Sequence, residues 1–137
     1  MEEALMALWA GLPVFMVHSG TSLLILLVGI ALYMRLTSHD ELALIREGNV
    51  AAALSLGGAI IGLALPLAFS LAASVSIWDL VFWGIIALAL QLIAFRLVAL
   101  LLPDLSARIE KGDMGAAVLL VSFKLATASI NAAAITG

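Results

Sequence analysis

Apolar residues fall in long runs, and the polar residues that interrupt them come in short clusters. The first run covers residues 13–36 and carries no charge before Arg35; further runs cover 50–73, 80–102 and 114–136, each bounded by charges or by Gly, Pro, Asn and Asp. A helix rises about 1.5 Å per residue, so crossing the hydrocarbon of a bilayer takes about 20 apolar residues. Every run is long enough to span with some tilt. The pattern predicts an all-α integral membrane protein with four transmembrane helices. Residues 1–12 read as an extension of the first helix or as a short interfacial helix, and Met1-Glu2-Glu3 lacks the basic start of a cleaved signal peptide.

The breaks after the first and third runs resemble one another. Ser38-His39-Asp40-Glu41 opens a capping-box pattern, Leu42, Leu44 and Ile45 follow, and Gly48 can stop a short helix. Pro103-Asp104 starts the second connector, Leu105 and Ile109 are its apolar positions, and Gly112-Asp113 ends it. Asn49 and Asp113 are both good N-caps for the run that follows. A shift of 64 residues pairs Asp40 with Asp104, Ile45 with Ile109, Gly48 with Gly112, Asn49 with Asp113, and Ala52-Ala53 with Ala116-Ala117. This predicts two tandem parallel-repeat hairpins, a first two-span repeat over 13–73 and a second over 74–137, related by an axis along the membrane normal. Such an axis can frame a pore, although a plain helical bundle would show the same pattern.

Composition agrees with the hydropathy pattern. The 137 residues are 65% hydrophobic and 11% charged, with mean hydropathy +1.26, which excludes an ordinary water-soluble domain. A net charge of −3 without a basic patch argues against nucleic-acid binding. The absence of cysteine excludes disulfides and thiolate metal sites. Arg35, Arg46, Arg96, Arg108 and Lys111 flank the connectors, five of the six basic residues, so the connectors belong in the cytoplasm and both termini outside. Trp9, Trp78 and Trp83 lie near the outer boundary and Tyr33 near the inner one, where amphipathic rings settle.

Lys124 stands near the middle of the fourth run, where an ammonium costs about 2.5 to 3.5 kcal/mol on insertion scales. It should face protein, water or an anion, and no run contains an Asp or Glu to pair with it at depth. Counted inward, Lys124 and Gln91 lie at similar depth, Thr127 and Ser22 further out, and Asn131 and His18 nearest the outside. Lys124, Thr127 and Asn131 share a helix face. These six residues can line a hydrated path or an anion site, or act as interhelical glue, with Lys124 neutral or at an oligomer contact. Gly58 and Gly62 form a Gly-x-x-x-Gly pair for close helix approach, and Ser122 and Ala126 give the fourth run a comparable small face. Neither phosphate loop, nucleophile elbow nor metal-ligand spacing is present, so no enzyme and no cofactor are expected. His39-Asp40-Glu41 reads as an exposed helix start.

Taken together, His39-Asp40-Glu41, Leu44-Ile45, Asn49-x-Ala51-Ala52, Gly58 to Gly62, Pro66, Trp83-Gly84, Gln91, Pro103 and Asn131-Ala132-Ala133 resemble the YjfL-type family of small bacterial inner-membrane proteins. The resemblance covers about residues 20–135; it includes Gln91 and Asn131 but not Lys124. It implies a multi-pass inner-membrane protein made of a duplicated domain of unknown function, with no activity attached. Two readings follow. One is an oligomeric, channel-like or polar-solute- or anion-binding membrane component using Lys124, Gln91, Thr127, Asn131, His18 and Ser22. The other is a structural or regulatory subunit that docks a cytoplasmic protein through Asp40, Glu41, Arg46, Asp104 and Arg108.

Overall fold

The computed structural model describes residues 1–73 and 76–137, and every element among them is helical. Six helices follow in order: α1 (Glu2–Leu36), α2 (Glu41–Arg46), α3 (Val50–Ala73), α4 (Ile77–Leu101), α5 (Leu105–Glu110) and α6 (Met114–Thr136). α1, α3, α4 and α6 are long and apolar enough to cross a membrane. α2 and α5 are the two connectors and lie at one end of the bundle. Residues 1–12 extend α1, which runs unbroken through Pro13 to Leu36. The expected boundary between the two halves falls at Ser74, outside the described residues.

Local chemistry sets the helix starts. The Asp40 carboxylate accepts from the Ala43 amide at 3.1 Å, Asn49 Oδ1 from Ala52 at 2.9 Å and Asp113 Oδ1 from Ala116 at 3.1 Å, each satisfying an amide that the first helical turn leaves unpaired. Gly48 and Gly112 end the connectors with φ of 86° and 81°, a left-handed turn that costs glycine nothing. Asp104 adopts φ 59° and leads into α5 without a side-chain cap.

Packing centres on α3, the most buried helix, against which α6 lies closest; α4 touches both, and α1 lies on the outside against α3 and α4. A β-carbon on Gly58 would come within 2.8 Å of Val121 Cγ2, so this glycine sets the α3–α6 approach. On α1 only Tyr33 is buried. Tyr33 is therefore a core residue and not the interfacial ring its position predicts, because it packs with Leu56 and Ala59 of α3 in a cluster that Ile45 of α2 also borders. The principal apolar cluster, including Ala52, Phe95, Val98, Leu105, Ile109 and Leu120, fills the connector end beneath α5.

Candidate functional site: a buried polar cluster at the connector end

Opposite that apolar cluster the same end of the bundle is polar inside. Side chains on α6 tilt toward the start of their helix, and α6 starts at the connector end, so Lys124 reaches back toward the connectors. Its ammonium is fully buried and donates to the Ser55 carbonyl at 2.7 Å and to Ser55 Oγ at 3.2 Å. It also lies 4.6 Å from the centre of the Tyr33 ring, a cation–π contact strengthened by the dry surroundings. No carboxylate stands within 4.0 Å of it among the described residues. Behind it, Gln91 Nε2 donates to the Lys124 carbonyl at 3.1 Å. The Gln91 amide occupies the space that any side chain at position 62 would need, which makes Gly62 a condition for the Gln91 contact.

Toward the connectors the cluster continues through Glu41, 1% exposed, and His39, 4% exposed. Thr37 Oγ1 lies 3.1 and 3.2 Å from the two Glu41 oxygens, and His39 Nε2 is 3.5 Å from Glu41 Oε1. His39 Nδ1 meets Ser106 Oγ of α5 at 3.2 Å, and its ring tilts against Phe95 at 6.1 Å. Burial pushes the Glu41 carboxyl above the ordinary glutamate range, against the opposing pull of Thr37, its own amide and the Lys124 charge. Burial, with the Lys124 charge, holds the His39 imidazole below the ordinary histidine range. Both residues therefore favour their neutral forms. A cavity of about 440 Å³, bordered by Met34, Arg35, Thr37, Ser38, His39 and Glu41, opens beside them at the connector surface.

The expected polar stripe divides. Lys124 and Gln91 do meet, and Asn131 and Thr127 lie further along α6 beside a separate cavity of about 340 Å³. His18 and Ser22 do not join them. They stand on α1, across α3 and α4 from α6; Ser22 donates to the His18 carbonyl at 2.9 Å and borders an apolar groove against α3. Six residues matched in depth were expected to share one path, but depth leaves the rotation of each helix about its axis undetermined. Of the small-residue positions, Gly58 and Gly62 are buried in helix contacts, whereas Ser122 and Ala126 face outward on α6, away from α3.

The expected docking surface is also smaller than its sequence. Glu41 is buried and unavailable to a partner, and His39 beside it is not exposed. Asp40 is occupied by its cap, and Arg108 pairs with Asp113 at 3.2 Å. Asp40, Arg46, Asp104 and Arg108 all remain exposed. Tyr33, Thr37, His39 and Ser55 are the members of the cluster that sequence reasoning missed. The 64-residue offset carried the signal, since it sets Glu41 opposite Leu105, an apolar position of the other connector.

Four apolar helices around a buried polar cluster define an all-α protein built to cross a membrane. The chain belongs to the family described as Domain of Unknown Function (DUF350), whose pattern matches residues 7–135. It is 37% identical over 105 residues to the UPF0719 inner membrane protein YjfL of Escherichia coli K12, covering 77% of this chain and 80% of that protein, and equally to its counterpart in Escherichia coli O157:H7. No solved structure matches the chain.

Proposed function

We propose that this chain is a small, non-enzymatic inner-membrane protein that binds a polar solute, most simply an anion, at its connector end, as part of an oligomeric, channel-like assembly. The observation that carries the reading is Lys124: a fully buried ammonium whose partners are a carbonyl, a hydroxyl and an aromatic face, with no carboxylate at ion-pair distance among the described residues. A positive charge held without a counter-ion in low dielectric attracts an anion far more strongly than a surface lysine does. The inner-membrane placement follows the name of the Escherichia coli relatives. The basic residues at the connectors support a cytoplasmic connector end with both termini outside.

Duplication is part of the same reading. Starts of α2 and α5 lie 64 residues apart, as do those of α3 and α6, and the turns at Gly48 and Gly112 have φ values within 5° (86° and 81°). The outward-facing Ser122 and Ala126 occupy the places of the buried Gly58 and Gly62 in the other half, which leaves a small-residue face for a second copy. The test is ion and solute flux in liposomes holding purified protein of known orientation, comparing wild type with Lys124→Gln under matched salt gradients. Selective flux altered by the substitution is the expected result. Absence of flux in a protein of intact helical circular dichroism would defeat the reading and turn attention to partner docking through Arg46 and Asp104.

A further inference from the structure

The hydrogen atoms around Glu41 do not suffice for a carboxylate. Thr37 Oγ1 has one proton and three acceptors in reach: the two Glu41 oxygens at 3.1 and 3.2 Å and the Met34 carbonyl at 3.3 Å. Beyond Thr37 the carboxyl has its own backbone amide as a donor; His39 Nε2 lies 3.5 Å away without hydrogen-bond geometry, and no Lys or Arg pairs with Glu41 among the described residues. An ionised carboxylate at 1% exposure would keep oxygen lone pairs that nothing satisfies, a large cost in a dry site. One added proton resolves this: the Glu41 hydroxyl donates to Thr37 Oγ1, which in turn donates to the Met34 carbonyl. We propose that Glu41 is a proton-binding site, reached from the connector-end cavity that borders it, and that its occupancy sets the net charge presented to a ligand at Lys124.

The groups around Glu41 give the proposal its direction. α1 contributes Tyr33 and Thr37, with Arg35 on the rim of the shared cavity; the link to α2 contributes His39 and Asp40; α6 contributes Lys124, and α5 acts through Ser106 and Glu110 on His39. The Lys124 charge opposes protonation of Glu41, whereas burial and Asp40 favour it. With the proton bound, the Lys124–Glu41 pair carries one positive charge; with it released, the pair is neutral. An anion and a proton would therefore bind together, each raising the affinity for the other by the reciprocity of linked equilibria.

Difference infrared spectroscopy of the purified full chain in lipid nanodiscs, titrated with pH, tests this directly. A carbonyl stretch of a protonated carboxyl should persist to higher pH than those of the exposed acids in the same sample. Glu41→Gln should abolish that band alone. Lys124→Met should keep the band and move its midpoint upward, since it removes a charge that favours the carboxylate; it serves equally if the Gln variant fails to fold. A band that titrates with the exposed acids, or that survives in Glu41→Gln, overturns the proposal. It deepens the anion-binding reading yet fails separately from it: a Glu41 band without flux refutes that reading and leaves the proton site standing.

Discussion

The two connectors share a frame and differ in what they enclose. α2 and α5 are both six residues long, each follows an aspartate, and each ends at a glycine of positive φ. At the first helical position one carries Glu41 and the other Leu105, 1% and 2% exposed. The surroundings differ in the same sense. Residues 64 apart from Tyr33, Thr37, His39 and Ser55 are Leu97, Leu101, Pro103 and Leu119, and Ile60 stands where the other half has Lys124. One backbone arrangement thus closes over either a leucine or a carboxylate, and the lining alone decides which. The candidate chemistry resides where the two connectors differ, in side chains that can vary without disturbing the helix ends.

Exchanging the two residues is the most severe test of that contrast. Leu105→Glu places a carboxylate among Phe95, Val98, Ile109 and Leu120 and should destabilise by about 3 kcal/mol or more. Glu41→Leu should cost clearly less, because Thr37 Oγ1 still has the Met34 carbonyl to donate to when the carboxyl is gone. Thermal unfolding in detergent followed by circular dichroism measures both, and comparable losses would erase the distinction between the two sites. Asn49→Ala comes next. It removes an N-cap and the bonds from Nδ2 to the Ile109 and Glu110 carbonyls at 2.9 and 3.0 Å, and should cost about 2 kcal/mol, more than Asp113→Ala measured the same way.

Gly48→Ala and Gly112→Ala address what the connectors have in common. Both glycines have positive φ and open space at the β-carbon, so each change should cost about 1 kcal/mol through backbone strain alone. A clear inequality would show that the two turns are not equivalent. Smallest is the pH dependence. Folding lowers the His39 pKa below 6.5, so the folded state binds fewer protons there and stability is lost as pH falls below the ordinary histidine value. The raised Glu41 pKa acts oppositely: the folded state holds more protons above pH 4.5, and stability is lost as pH rises through the folded value. The slopes oppose one another in the wild type. Glu41→Gln should therefore expose a melting temperature that rises with pH toward neutrality, and His39→Gln one that falls as pH rises above the ordinary glutamate range.

The spans were legible because hydropathy reports burial from water whatever the neighbour is, lipid or protein. α3 and α6 match the expected 50–73 and 114–136, and α4 begins three residues before the expected 80. The full extent of α1 was legible only as one of two alternatives, since Glu2 and Glu3 suit a first helical turn as well as they suit a polar flank. The caps at Asn49 and Asp113 and the turn at Gly48 were legible because their chemistry is local, whereas the capping-box pattern put the start of α2 at Ser38 and the structure caps it with Asp40. The cluster was legible only in part. Lys124 and Gln91 stood out as polar residues in apolar runs, but Glu41 and His39 sat among charges and looked solvated. Which way a short helix rolls depends on the groups waiting beneath it, here Thr37 and Ser106, and no periodicity in six residues reveals that.

The Lys124 bonds to Ser55 also bear on how the chain enters the membrane. Spans inserted in order from the N-terminus place α3 in the bilayer before α6, so the carbonyl and hydroxyl that receive the ammonium precede it by 69 residues. The last helix, which carries the one charge that is expensive to insert, arrives at a bundle already holding its acceptors. Transplanting that lysine to the Ile60 place in α3 would reverse the sequence of events, presenting the translocon with a charge before α6 exists to shelter it. The order of the spans along the gene is thereby part of the solution to burying Lys124.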